Sequence, residues 1–168
     1  AVIETNEATA AGLTAANLAL LCQMVYQDSG IVLDESKRYL LDARLQPVAQ
    51  QHRLESIDAL CRAVQGYGQN ALRKQVVEAM TTNETLFFRD VAPFDALKRT
   101  ILPQLLERRQ TGRYLSIWCA ACSSGQEPYS LAMLLRELLP NADGWRIDIL
   151  GTDLSEAILE RARQAKYF

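Results

Sequence analysis

The chain has 168 residues, 18 basic against 20 acidic side chains and 49% hydrophobic residues, a composition that builds one globular domain or two small ones and excludes a disordered tail. No apolar run approaches the ~18 residues of a membrane span, the opening residues lack a secretion signal's basic-then-apolar layout, and the slight acidic excess argues against general nucleic-acid binding. The cytoplasm is therefore the expected compartment, and the unevenly spread Cys22, Cys61, Cys119 and Cys122 do not suggest a secreted disulfide framework.

The first half reads as helices. Leu18, Leu21, Cys22, Val25 and Tyr26 fall at helical spacing between Thr14, a cap, and Gly30, a stop. A second helix, capped by Asp34, carries Leu41, Leu45 and Val48 on one stripe, and a third opens at Ser56 with Ile57, Leu60, Cys61 and Val64. The turn "QGYGQN" precedes a fourth from Ala71 to Met80. These four form a compact bundle with no catalytic signature. His52, the only histidine, suits a capping or solvent-facing role better than a metal, because no further ligands stand at the right spacing. Lys37, Arg38, Arg44 and Arg53 make a possible docking face for an acidic partner. Interleaved Asp34, Glu35 and Asp42 favour a plainer reading, a solvated helix face with an Arg38–Asp42 pair.

The second half has a different period. A long amphipathic helix starts at Pro93, with Phe94, Leu97, Ile101, Leu105 and Leu106 inward, and runs out at "RRQTG". "RYLSIWCA" reads as a buried strand, "QEPYSLAMLLRELLP" as a helix stopped at Pro140, "WRIDILGTD" as a second strand and "SEAILERARQAKYF" as a helix capped by Ser155. Strand, helix, strand, helix predicts a parallel α/β sheet. Ligands bind such sheets at the carboxyl ends of the strands, here the loop "CAACSSGQE" and the tip "GTD".

Gly125 permits a turn closed to other residues, Glu127 follows it, and Asp153 stands where a carboxylate holds ribose hydroxyls in dinucleotide folds. The remaining glycines of a pyrophosphate cradle are missing, and a carboxylate in their place repels phosphate. The ligand this predicts is a nucleoside without phosphates, carrying positive charge, a description that S-adenosylmethionine meets. Each acid also has a structural reading, as a helix N-terminal charge or a cap.

"WCAAC" raises a rival. Cys119 and Cys122 have the spacing of a thioredoxin-like redox pair, in which a helix N-terminus activates the first thiol. Here "SSGQEP" intervenes before any helix, so small side chains in a tight loop are the plainer account. The segment "TTNETLFFRD" is equally two-sided: Thr81 and Glu84 have capping-box spacing and Phe87 and Phe88 suit a core.

Taken together, "GIVLDESKRYLLDARL", "MTTNETLFFRD", "IWCAACSSGQEPYSLAM" and "GTDLSEAILERAR" resemble the CheR family of chemotaxis receptor methyltransferases, over nearly the whole chain after the first dozen residues. The resemblance implies a helical N-terminal domain (1–80), a linker contributing to the active site (81–92) and the first part of a class I, Rossmann-like methyltransferase domain (93–168). It implies S-adenosylmethionine as cofactor, S-adenosylhomocysteine as product, and glutamates on the cytoplasmic methylation helices of chemoreceptors as substrate. By the family motif Asn83, Thr85 and Arg89 contact the cofactor or line the site, Glu127 lies against the methionine part or its amine and Asp153 holds the ribose; Gly125, from its place in the loop, is also expected at the cofactor.

Arg89 is expected to orient the substrate carboxylate, with the linker as the lid-side wall. Two positions depart from the family pattern, Cys119 where serine is common and Gln126 where a first glutamate often stands. Such methyltransferases have a much wider sheet, so the rest of the catalytic domain is expected beyond Phe168. A receptor-docking or regulatory fragment without activity is the alternative.

Overall fold

A computed structural model of the chain describes residues 13–33, 38–141 and 144–167. The chain divides into two compact units, one ending at Thr81 and the other starting at Thr82.

Among its described residues the first unit holds four helices. Helix α1 (Ala15–Ser29) begins where the Thr14 hydroxyl accepts the Asn17 amide at 3.3 Å and ends at Gly30, whose φ of 73° turns the chain out of the helix. Leu18, Leu21, Met24 and Val25 face inward, whereas Tyr26, one position and about 100° further round, is exposed. Helix α2 (Arg38–Gln51) buries Leu41, Leu45 and Ala49. The predicted Asp34 cap, Glu35 and Lys37 lie outside the described residues. Pro47 is tolerated inside α2 because it and Ala43, whose carbonyl loses its donor, are both on the exposed face.

Helix α3 (Ile57–Val64), capped by Ser56, and helix α4 (Asn70–Met80) complete one core in which Leu21, Leu41, Leu45, Leu60 and Val76 are all but inaccessible. Truncating any of these leucines to alanine costs about 2–5 kcal/mol. Polar ties set the helix order. Asp58 accepts the Thr14 amide and the Asn17 side chain, and its carboxyl is held below the usual range chiefly by that Asn17 bond. Arg44 donates to the carbonyls of Met80 and Thr81, both at 3.0 Å, so its guanidinium is spent on the end of α4. Arg38 donates to the Leu13 carbonyl at 2.6 Å, which replaces the helix-face partnership with Asp42 that their spacing suggests. His52 follows α2 and meets Gln75 at 2.6 Å on the surface.

The capping-box reading of Thr81 fails. Its hydroxyl donates backward to Glu78 at 2.7 Å and the residues after it are not helical, so it closes α4 and starts nothing. No regular element follows until α5 (Val91–Ala96), two residues before the predicted start at Pro93. A single π turn, Leu97–Ile101, then leads into α6 (Leu102–Arg108), with the Leu102 amide reaching the Leu97 carbonyl. The cause is Pro103: in an α-helix its ring would strike the carbonyl of Arg99, and one wider turn relieves the clash.

Strand β1 (Tyr114–Ala120), helix α7 (Gln126–Leu138), strand β2 (Arg146–Thr152) and helix α8 (Glu156–Gln164) form a right-order β-α-β-α unit. The strands pair in parallel, Trp118 opposite Leu150 and Cys119 opposite Gly151. One sheet face carries Leu115, Ile117 and Cys119 with Ile147 and Ile149, packed beneath Leu102, Leu131, Leu134 and Leu135. The other face exposes Trp118 and Leu150, so among the described residues the strands are covered on one side and not on both.

Candidate cofactor cleft

The cleft of the second unit is built from three segments. The first is the irregular stretch from Thr82 to Asp90. It is held by serines: Ser123 donates its hydroxyl to the Asn83 carbonyl at 2.7 Å, and the fully buried Ser130 accepts the Phe88 amide at 2.9 Å while donating to Gln126 at 2.7 Å. Rings fix its far side, Phe88 edge-on to Phe94 with centroids 5.3 Å apart and Phe87 edge-on to Tyr167 at 4.9 Å. Phe88 and Asp90 have φ of 51° and 57°, left-handed conformations that persist only where the surroundings impose them. Arg89 donates to the Glu84 carbonyl at 2.7 Å and lies 3.9 Å from Asp90, which closes the stretch into a small ring.

The second segment is the loop after β1. Ala121, Ser123 and Gly125 alternate through positive φ (58°, 50° and 96°). The Cys122 amide donates to the Thr152 carbonyl at 2.9 Å, and the Ser123 amide to Asp153 Oδ2 at 2.8 Å. At Gly125 a side chain is doubly excluded, by its φ and because a Cβ would lie 2.8 Å from the Tyr167 hydroxyl. The third segment is the α5–α6 stretch, which adds Phe94, Leu97 and Leu102.

These enclose a cleft of about 530 Å³, within the range of small-molecule sites. Thr85, Arg89 and Glu127 line it, together with Trp118, Cys119 and Ala121. Asn83, Gly125 and Asp153 do not line it; they build its walls through the bonds just given. Asp153 uses both oxygens structurally, Oδ2 on Ser123 and Oδ1 on the Ser155 amide at 3.0 Å. A carboxylate has about four acceptor positions, so capacity for further donors remains. Among the described residues four charged ones line the cleft, three carboxylates (Glu84, Asp90, Glu127) and one guanidinium (Arg89). The excess favours a cation and disfavours phosphate. Donor chemistry, apolar lining and volume thus fit S-adenosylmethionine, which pairs a sulfonium and an ammonium with an apolar adenosyl body.

The redox reading of Cys119 and Cys122 does not survive. Both are buried free thiols. Burial, then the Glu127 charge, pushes Cys119 up to about 12, and burial with Asp153 raises Cys122. Activation would need the opposite shift, and α7 starts at Gln126, past the pair. Among the described residues no group of three His, Cys, Asp or Glu side chains could hold a metal, and no helix is long and apolar enough to cross a membrane.

Ser123, Ser130, Trp118 and Tyr167 belong to this architecture and were not singled out by sequence reasoning. A hydroxyl that bonds a distant backbone leaves no periodic signal. Only the crowding of serines in "SSGQEPYS" hints at it.

Comparison with known proteins agrees with this geometry. Residues 16–81 match the all-alpha domain of CheR methyltransferase, and residues 83–168 match the CheR methyltransferase SAM binding domain. The chain belongs to the CheR methyltransferase family. Chemotaxis protein methyltransferase Cher2 of Pseudomonas putida is 42% identical over 141 residues, 82% of this chain and 51% of that protein. Chemotaxis protein methyltransferase 1 of Pseudomonas aeruginosa is 44% identical over the same shares. Chemotaxis protein methyltransferase 1 of Vibrio cholerae is 40% identical over 87% of this chain and 53% of its own length. The chain spans about half the length of the curated relatives it matches. The family's cofactor-binding region begins at residue 83, so it includes the serine-held stretch that walls the cleft.

Proposed function

We propose that this chain carries the helical domain and the cofactor cleft of an enzyme that transfers a methyl group from S-adenosylmethionine to glutamate side chains of chemoreceptors. The supporting observation is the acidic, apolar-floored cleft in the unit that matches the family's SAM binding domain. The cofactor supplies an electrophilic methyl carbon on a positively charged sulfur. Glu127 binds the cationic methionine end and Thr85 contributes its hydroxyl from the linker, while Asn83 and Asp153, outside the lining, serve the cofactor through the walls they hold.

A glutamate side chain is an anion at neutral pH and requires no general base. The residues of this chain therefore align and desolvate. Arg89, which lines the cleft and donates to the Glu84 carbonyl, orients the substrate carboxylate through paired hydrogen bonds. Phe94 and Leu97, both half-buried, exclude water, which would otherwise mask the nucleophile.

Receptor docking belongs to the basic side of α2. Arg53, exposed just beyond the helix, and Arg38 are its accessible charges, with Lys37 outside the described residues; Arg44 contributes by holding α4 rather than by contact. The test is transfer of labelled methyl from S-adenosylmethionine to purified chemoreceptor cytoplasmic domains by the full-length protein. Glutamyl esters release labelled methanol in mild alkali. Alkali-stable label, or none, would overturn the assignment.

A further inference from the structure

Tyr167 lies beyond the C-terminal end of α8 and is not part of the cleft lining, yet it touches two of the cleft's walls from behind. Its hydroxyl donates to the Ser124 carbonyl at 2.7 Å, inside the loop that follows β1. Its ring meets Phe87 of the linker edge-on, at 4.9 Å and 82°, and Tyr129 of α7 at 5.8 Å and 70°. The same hydroxyl occupies the space that a Cβ at Gly125 would need. Tyr129 in turn donates to the Ala162 carbonyl of α8 at 3.3 Å, so α8, α7, loop and linker close on one aromatic contact.

We propose that Tyr167 is a positioning residue for the cofactor: it sets the loop after β1 against the linker, and through them the spacing of Glu127 and Thr85 across the cleft. The two segments it joins carry four non-glycine residues at positive φ, namely Phe88, Asp90, Ala121 and Ser123. Such conformations last only when neighbours over-determine them. Asn83 and Phe88 are tied to the α7 side by serine hydroxyls, and at the tip between them Phe87 packs edge-on against the ring of Tyr167. Partial burial raises the Tyr167 hydroxyl above its ordinary value, so it stays a proton donor to Ser124 throughout the neutral range. The inference rests on the proposed cofactor reading and adds to it a residue that never meets the ligand.

The test uses the full-length protein with Tyr167→Phe and Tyr167→Ala, and S-adenosylhomocysteine as the calorimetric probe. Tyr167→Phe loses the Ser124 bond and keeps the rings, so affinity falls about threefold; Tyr167→Ala loses both, and affinity falls about tenfold. The KM for S-adenosylmethionine rises in parallel while kcat and the receptor KM hold. Without ligand, amide exchange quickens in Tyr167→Ala at Leu86–Phe88 and at Ser123–Gln126 and stays unchanged in α1–α4.

Wild-type affinity in both variants overturns the inference, as does faster exchange spread over the whole second unit with Tyr167→Phe indistinguishable from wild type, the mark of a purely structural tyrosine. If the wild-type protein itself does not bind the probe, the cofactor reading fails and takes this inference with it. Wild-type binding that is indifferent to both substitutions removes Tyr167 alone.

Discussion

The Asp153 carboxylate bridges two backbone amides, Oδ2 accepting from Ser123 at 2.8 Å and Oδ1 from Ser155 at 3.0 Å. One side chain therefore ties the loop after β1 to the start of α8, and whatever Asp153 contributes to a ligand comes from a group already fixed in place. Preorganisation of this kind lowers the entropy lost on binding. Asp153→Ala should cost about 1–3 kcal/mol of stability, since hydrogen bonds to a charged acceptor exceed neutral ones. Asp153→Asn keeps one carbonyl acceptor and should lose less. Urea unfolding separates the two, and equal midpoints would show that the bridge contributes nothing.

Ser130 joins linker to helix from a fully buried position. Ser130→Ala leaves the Phe88 amide without its acceptor, at about 1 kcal/mol. Exchange at that amide should accelerate selectively, and protection at the wild-type level would place the linker's support elsewhere.

The Cys119 thiol reports on Glu127. With burial and the neighbouring carboxylate holding it up to about 12, it should resist a disulfide reagent at pH 8 in the folded protein. Glu127→Gln removes the like charge while burial remains, so the thiol's value falls and the reaction quickens. An unchanged rate would mean that the carboxylate and thiol are not neighbours. Mild oxidation should leave Cys119 and Cys122 reduced, as a mass measurement checks.

How much of this was legible in the sequence depends on the range of the interaction. Caps and stripes are local: Thr14, Ser56 and Ser155 cap helices as their spacing predicts, and β1 and β2 lie where the period changes. Misreadings occurred where a backbone carbonyl, near or distant, decided rather than side-chain spacing. Thr81 with Glu84 has capping-box spacing, but no helix follows and the hydroxyl bonds backward to Glu78. Arg38 and Asp42 have helix-pair spacing, but the Leu13 carbonyl takes the guanidinium. The π turn followed from a proline whose effect depends on the residue four positions earlier. For the cleft, Glu127 stood out by type and position and Thr85 and Arg89 only through the family motif, whereas the serines and Tyr167 that hold its walls act across 40 or more residues of chain.

In the helical unit, Arg73 pairs with Asp28 through two hydrogen bonds, one of them 2.7 Å, and holds that carboxyl below the usual range. A depressed folded value means the pair stabilises above the unfolded pKa of about 3.9 and loses its effect as pH falls through the lower folded one. The pair is partly exposed, so its worth is about 0.5 kcal/mol. Asp28→Asn should unfold slightly earlier than wild type at pH 7 and converge with it in strong acid. A gap that persists below the folded value would point to a role other than charge.

The most direct measurement is calorimetric titration of S-adenosylhomocysteine into the full-length protein and its Glu127→Gln variant at neutral pH. Loss of one charge-assisted contact to the ligand's ammonium corresponds to an affinity at least about tenfold weaker, with folding unchanged because Glu127 is exposed. Binding by wild type together with that loss is the predicted result; equal affinity in the two proteins, or none in wild type, would contradict it.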